Sequence, residues 1–205
     1  GYVIDGKIAE GRTDLEGKYV YLIPYGSDGA ATDSALIEKN TFKLQGEPTA
    51  DGLYALYLKD EGDEMMSRVG EAPFSAVFVL QKGEMQAVLD SFSYVTGTPE
   101  NNAFKDIRSV LVDAQKNYMN LVSNIKEGEL EAVKAKAKQL EDEMMAKVKA
   151  YIEANPNKLT TAKLLTDFQF GLDEKTQEAA LAKADSAFMK FPGIKEIAEH
   201  LQAMK

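Results

Sequence analysis

The chain has 205 residues, contains neither cysteine nor tryptophan, and is 44% hydrophobic and 28% charged. Without cysteine it has no thiolate nucleophile, disulfide, Cys-ligated zinc site or iron–sulfur centre. The composition is that of a globular protein rather than a disordered or collagen-like one, and the length suffices for one large domain or two small ones. The formal net charge of -9 argues against nucleic acid or an anionic membrane as a partner, because binding either requires an excess of Lys and Arg.

Glycine and proline divide the chain at Pro99. Residues 1–99 hold 12 of the 15 glycines and 4 of the 6 prolines, with 16 acidic against 8 basic side chains. Residues 100–205 hold the remaining glycines and prolines, with 17 acidic against 16 basic side chains. Because Gly and Pro mark the turns between strands and interrupt helices, we predict an α+β fold. An antiparallel β-sandwich or barrel is expected over 1–99, followed by an α-helical domain over 100–205.

Eight short runs of alternating, β-branched or aromatic residues predict the strands of the first half. They cover residues 2–9, 18–24, 34–38, 41–45, 53–59, 75–81, 84–90 and 93–96. Lys39-Asn40 and Lys82-Gly83 have the composition of two-residue hairpin turns, because Asn and Gly accept a positive φ. With no helix between the strands, we expect their pairing to be antiparallel.

The second half starts with a helix signal at Thr98-Pro99-Glu100, which supplies a capping hydroxyl, a proline for the first helical position and an acid. Apolar residues then recur at helical spacing, with a break at Gly128 and an end at Asn155-Pro156. Two long helices around a short break predict a helical hairpin packed on its neighbours. Shorter helices are predicted over 158–170, over 173–190 with Asp173 as the N-cap, and over 194–204.

The first half also resembles a known family, through segments that occur in a fixed order and spacing. They are Tyr2-Val3-Ile4-Asp5-Gly6-Lys7-Ile8, Gly17-Lys18-Tyr19-Val20-Tyr21-Leu22, Asp33-Ser34, Phe42-Lys43-Leu44-Gln45-Gly46, Phe78-Val79-Leu80-Gln81-Lys82-Gly83-Glu84 and Val95-Thr96-Gly97-Thr98-Pro99-Glu100-Asn101. Together they resemble the uncharacterised N-terminal domain, of the DUF4369 type, that precedes a thioredoxin-like domain in envelope thiol–disulfide oxidoreductases of Gram-negative anaerobes. Asn40-Thr41 departs from the glycine that the family usually has in that turn, but Asn accepts the same backbone conformation.

The resemblance implies a function without supplying a catalytic residue. In the family the redox chemistry belongs to a Cys-x-x-Cys pair in the thioredoxin-like domain, and this chain has no cysteine. The implied function is a non-catalytic accessory or interaction module, located in the periplasm or on an outer-membrane lipoprotein, without a cofactor. The implied partner is a protein or a covalently linked thioredoxin-like domain, and a homodimer stays open. We expect no membrane span, and a chain running from Gly1 to Lys205 would be an N-terminal fragment or a short relative.

Two other functions stay open. The first is a stand-alone envelope binding protein for a peptide or glycan, using sandwich loops at one end. Its ligand or partner surface would be formed by Tyr25, Asp28, Asp33, Tyr54, Tyr57 and Tyr94. The second is a carboxylate-based hydrolase, which rests only on the availability of acidic pairs such as Asp60 and Asp63.

The acidic segment at 60–64 is the one weak metal candidate. Asp60, Asp63 and Glu64 carry the hard oxygen ligands that Ca²⁺ prefers, but their spacing lacks the EF-hand series. We therefore interpret the segment as a solvated acidic loop and expect no metal. His200 is the only histidine and is interpreted as a surface residue of the last helix.

Overall fold

A computed structural model of the chain describes residues 1–47, 51–58 and 72–205. Its strands give way to helices at Pro99, where the glycine and proline content of the sequence falls. The chain folds into two compact units, Gly1–Asp106 and Ile107–Lys205. In the described residues the first unit holds eight strands, and the helices follow them, so the predicted α+β class is confirmed. None of the described helices combines the length and hydropathy needed to cross a bilayer.

The strands form two four-stranded sheets. Their bounds are β1 Tyr2–Ile8, β2 Tyr19–Pro24, β3 Asp33–Leu36, β4 Thr41–Gly46, β5 Gly52–Leu58, β6 Ser75–Leu80, β7 Gly83–Leu89 and β8 Tyr94–Thr96. Sheet A has the order β4-β1-β7-β8, and sheet B has the order β3-β2-β5-β6. A short 3₁₀ turn at Thr13–Leu15 lies between β1 and β2. The predicted strands agree with these bounds to within about two residues.

Alternate residues of both sheets point into one shared hydrophobic core, which makes the unit a β-sandwich. Sheet A contributes residues such as Ile4, Leu44 and Met85, and sheet B contributes Leu22 and Leu56. All five side chains are at most 1% exposed. This alternation decides which side chains of each strand are left on the outer face.

The expectation that all pairing is antiparallel is wrong. β1 pairs with β7 in parallel over its full length, from Tyr2 opposite Gly83 to Ile8 opposite Leu89. Between these two strands the chain passes through sheet B and β4, so strands rather than a helix make the crossover. A parallel connection needs only a long crossover, and strands of the opposite sheet supply it here.

Lys39-Asn40 forms the predicted two-residue turn, but neither predicted hairpin joins two strands of one sheet, because this turn leads from β3 of sheet B to β4 of sheet A. Lys39 and Asn40 both have positive φ, 53° and 64°, between the bridged residues Glu38 and Thr41, which is the geometry of a type I′ turn. Lys82-Gly83 likewise joins β6 of sheet B to β7 of sheet A, so these strands do not pair. The glycine serves a change of sheet there, with φ at 113°.

The helices are α1 Pro99–Ser123, α2 Leu130–Ala154, α3 Leu159–Phe168, α4 Glu174–Ala182, α5 Ser186–Lys190 and α6 Ile194–Ala203. As predicted, Thr98 Oγ1 accepts from the Asn101 backbone N–H at 3.3 Å, and the Asp173 carboxylate accepts from the Thr176 N–H at 2.7 Å. The single helix predicted over 173–190 is wrong, because it is divided into α4 and α5. The Asp185 carboxylate accepts from the Phe188 N–H at 2.9 Å and starts a new helix there.

The second unit has its core at the C-terminal end of α2 and in the helices that follow. Val148 and Ile152 of α2 are buried, as are Leu165, Phe188 and Ile197. Tyr151 and Thr160 share a buried hydroxyl hydrogen bond of 2.8 Å, which ties α2 to α3. Residues 111–147, all of which the structure describes, include no fully buried side chain.

Candidate functional site

The four tyrosines expected to form one ligand surface lie on different parts of the sandwich. Tyr25 follows β2 and is 37% exposed, whereas Tyr54 is packed against the core from the inner face of β5. Tyr57 is on the outer face of the same strand, because it is an odd number of residues away from Tyr54. Tyr94 is in β8 of sheet A, with the Lys105 ammonium 3.8 Å above its ring. The loops therefore do not gather these four side chains at one end.

The predicted acidic residues Asp28 and Asp33 lie within the part of the chain that the structure describes. Asp28 is exposed, and the Asp33 carboxylate accepts from the Ser34 backbone N–H at 2.8 Å. Burial, followed by the nearby Asp33 carboxylate and Tyr54, raises the pKa of the Tyr2 phenol. Asp60, Asp63 and Glu64 lie outside the described residues. Within the described part of the chain, no group of three or more acidic or histidine side chains is arranged to hold a metal ion.

The resolved carboxyl pKa shifts in the described residues have structural causes. A side-chain hydrogen bond from Arg12 lowers the pKa of Asp14. Backbone N–H donation lowers the pKa of the two helix caps, from Thr176 to Asp173 and from Phe188 to Asp185. His200 is exposed in the last turn of α6. The hydrogen bonds to Asp14, Asp173 and Asp185 stabilise local structure.

The outer face of sheet B carries a different feature, which we call the tyrosine patch: Tyr19, Tyr21, Leu36 and Tyr57. Tyr19 is directly opposite Leu36 across β2 and β3, and Tyr21 is directly opposite Tyr57 across β2 and β5. The ring centroids of Tyr19 and Tyr21 are 6.4 Å apart, and those of Tyr21 and Tyr57 are 5.7 Å apart, both in tilted geometry. These spacings are those of mutually supporting aromatic rings.

The patch is partly exposed although it is built from large apolar side chains. Tyr19 is 48% exposed and Leu36 is 37% exposed, while Tyr21 and Tyr57 are half-buried. Strand alternation places these side chains on the outer face, since Val20, Leu22, Leu56 and Leu58 occupy the core positions of the same strands. The rings thus stand on two paired inner strands of the sheet and contact one another.

Comparison with known proteins supplies a family for this unit. The model of a family described as "Domain of unknown function (DUF4369)" matches residues 2–104. The chain belongs to the DUF4369 family. The matched DUF4369 domain contains both sheets, the tyrosine patch and the first turn of α1. No curated protein and no solved structure matched the chain.

Tyr19 and Tyr21 are the residues of the DUF4369 domain that sequence reasoning missed as surface candidates. A signal was present, because residues two apart in a strand share a face, and Tyr19-Val20-Tyr21 alternates aromatic and aliphatic side chains. Their meeting with Tyr57 depends on the register between β2 and β5, which a single sequence does not supply.

Proposed function

We propose that the DUF4369 domain of this chain is a non-catalytic interaction module that binds a partner protein through the tyrosine patch. The observation that carries the proposal is the row of Tyr19, Tyr21 and Tyr57 on the outer face of sheet B, with Tyr19 48% exposed and the other two half-buried. Tyrosine is enriched in the energetic centres of protein interfaces, because it buries a large area at a low cost in side-chain entropy and keeps a hydroxyl for hydrogen bonding. Contact within the patch has already reduced the freedom of these rings.

The partner we propose is a thioredoxin-like domain of an envelope thiol–disulfide oxidoreductase, either in the same polypeptide or in a separate one. The resemblance of residues 1 to about 105 to domains that precede such thioredoxin-like domains supports this choice. The lack of cysteine in these 205 residues fits a division of labour, in which this chain positions a domain that carries the thiols. By the same resemblance we propose a periplasmic or outer-membrane lipoprotein location.

Isothermal titration of this chain with a purified thioredoxin-like domain from a DUF4369-containing oxidoreductase tests the proposal. We expect the Tyr19→Ser/Tyr57→Ser variant to bind about 100-fold more weakly, because truncating two aromatic anchors removes about 3 kcal/mol of binding energy. Both side chains lie on the outer face of sheet B and outside the hydrophobic core, so the variant is expected to retain the circular dichroism spectrum of the wild type.

Phe170→Ser is the matched control, since Phe170 is a large apolar side chain that is 94% exposed in the helical unit. We expect this variant to bind like the wild type. Equal affinity of the wild type and the tyrosine double variant would contradict the role of the patch. Absence of binding by the wild type would contradict the choice of partner.

A glycan is the second candidate ligand, favoured by the same exposed rings, because aromatic faces in a row also stack on sugar rings. The chain has nine tyrosines and no tryptophan, so tyrosine fluorescence reports directly on such stacking. Saturable quenching by an envelope oligosaccharide, abolished in Tyr19→Ser/Tyr57→Ser, would favour this function over the protein partner. Unchanged tyrosine emission would exclude the glycan as a ligand.

A further inference from the structure

The distal parts of the two long helices form a helical arm, residues 111–147, that has no core of its own. Its exposed apolar side chains include Tyr118 at 48%, Met119 at 55%, Ile125 at 42% and Leu130 at 50%. Long helices in water derive most of their stability from packing an amphipathic face against another element. An arm with no fully buried side chain is therefore missing a layer of packing.

The apolar stripe of α2 shows where that layer would lie. Leu130, Val133, Ala137, Leu140 and Met144 recur at alternating intervals of three and four residues, which is the spacing of a helix–helix seam. Leu130 is exposed, and the other four are only half-buried. The stripe becomes fully buried only where α2 reaches Val148.

The charges beside the stripe are arranged in blocks of opposite sign. Lys134, Lys136 and Lys138 are followed by Glu141, Asp142 and Glu143. Lys134 and Lys138 are 64% and 75% exposed, and their ion pairs with Glu131 and Asp142, at 3.7 and 2.8 Å, stay on the same helix. Such exposed pairs contribute little and rearrange at low cost. The blocks therefore remain able to meet charges on another molecule.

The order of the charged blocks favours a second copy of the chain as the partner, in antiparallel orientation. Two copies of α2 aligned in parallel would place lysine beside lysine and glutamate beside glutamate. Two copies aligned antiparallel, with the two-fold axis between Lys138 and Gln139, place the basic block of each beside the acidic block of the other. The same alignment sets Val133 against the partner's Met144 and Ala137 against the partner's Leu140, so the apolar stripes coincide as well.

Because the apolar stripes and the charged blocks match in the same antiparallel alignment, we infer that the chain forms a homodimer. The two copies pair antiparallel through α2 of the helical arm. Lys134 lies near the partner's Glu141, and Lys136 lies near the partner's Glu143, with the reciprocal contacts repeated by symmetry. Charges that flank a helix seam are known to set partner choice and orientation. The dimer does not depend on the tyrosine patch, which is on the other unit.

Sedimentation velocity of two charge-reversal variants tests the dimer. Lys134→Glu/Lys136→Glu makes both blocks acidic, and Glu141→Lys/Glu143→Lys makes both blocks basic. Each variant alone is expected to raise the dimer dissociation constant at least about tenfold, because four favourable flanking contacts become repulsive. An equimolar mixture of the two is expected to restore the wild-type dimer, since every contact in the mixed pair is complementary. Restoration of the dimer by mixing would show that each variant alone had lost pairing and not its fold.

Lys175→Glu/Lys195→Glu is the matched control, because both lysines are exposed on helices outside the arm. It changes the net charge as much as the first variant and is expected to leave the dimer intact. The chain has no cysteine, so Ala137→Cys and Leu140→Cys copies can be mixed and oxidised to test orientation. The mixed disulfide is expected to exceed either self-disulfide.

Three results would overturn the inference. They are a wild-type monomer at concentrations in the tens of micromolar, failure of the mixture to restore the dimer, or equal weakening by the control. If the wild type is a monomer, the helical arm does not pair with a second copy of this chain.

Discussion

Gly6 and Phe42 show how closely single residues specify the sandwich. They are paired across β1 and β4, and the Phe42 ring occupies the space where a side chain at position 6 would be. A β-carbon added to Gly6 would lie 2.0 Å from Phe42 Cζ, far inside the van der Waals contact distance of two carbon atoms. Phe42 is only 4% exposed, so the ring has no free space to move into.

We therefore expect Gly6→Ala to lower the free energy of unfolding by about 3 kcal/mol, the upper end for overpacking a core. Urea unfolding followed by tyrosine fluorescence measures the loss. Gly29→Ala is the matched control, since its nearest atom would be Ser27 Oγ at 3.4 Å, and its effect is expected within about 0.5 kcal/mol. Adding Phe42→Leu to Gly6→Ala should recover part of the loss. A Gly6→Ala variant as stable as the wild type would refute the close packing.

At the scale of elements, the first turn of α1 closes an edge of sheet B. β6 is the last strand of that sheet, and Asn101 is 1% exposed beside it. The Asn101 side chain accepts from the Val79 backbone N–H and donates to the Val79 carbonyl, both at 2.8 Å. It thus replaces the two hydrogen bonds that a neighbouring strand would make, and it protects the edge from pairing with another chain.

Asn101→Leu is expected to cost about 3 kcal/mol of unfolding free energy, because it leaves a buried N–H and a buried carbonyl of Val79 without partners. The comparison is Asn102→Leu, which removes only the exposed bond from the Gly97 N–H to Asn102 Oδ1. That change is expected to cost less than about 1 kcal/mol. Similar losses in the two variants, measured by urea unfolding, would show that the edge contact is unimportant.

The elements were largely predictable because their signals are local. Strand alternation, the positive φ at Lys39-Asn40 and the caps at Thr98 and Asp173 depend only on neighbouring residues. The parallel pairing of β1 with β7 was not predictable, because it depends on which distant strands meet. The division of the helix over 173–190 was missed because the Asp185 cap interrupts an otherwise helical pattern.

The candidate site was less predictable than the fold. Tyr57 was predicted as a surface candidate from its residue type. Tyr21 and Tyr19, the other rings of the patch, lie in a strand for which no binding role was predicted. The face that a strand exposes depends on the second sheet, and Ala55 and Leu53, on the same outer face as Tyr57, are buried. Alternation identifies the two faces of a strand without identifying the exposed one.

At the scale of the whole chain, family and structure agree on the extent of the first unit. The DUF4369 match ends at residue 104, close to the end of the first compact unit at Asp106. That unit carries the tyrosine patch, and the second carries the apolar helical arm. We propose a separate contact for each unit, with a thioredoxin-like domain for the first and a second copy of the chain for the second.

The most direct test of the central claim is a titration of chain labelled with ¹³C in the tyrosine rings, monitored by NMR as the thioredoxin-like domain is added. With nine tyrosines in the sequence, each surface has its own reporters. The account predicts that the ring signals of Tyr19, Tyr21 and Tyr57 shift and saturate together, while those of Tyr25 and Tyr94 stay in place. Shifts confined to Tyr25 or Tyr94, or no shift in the patch at saturation of binding, would contradict it.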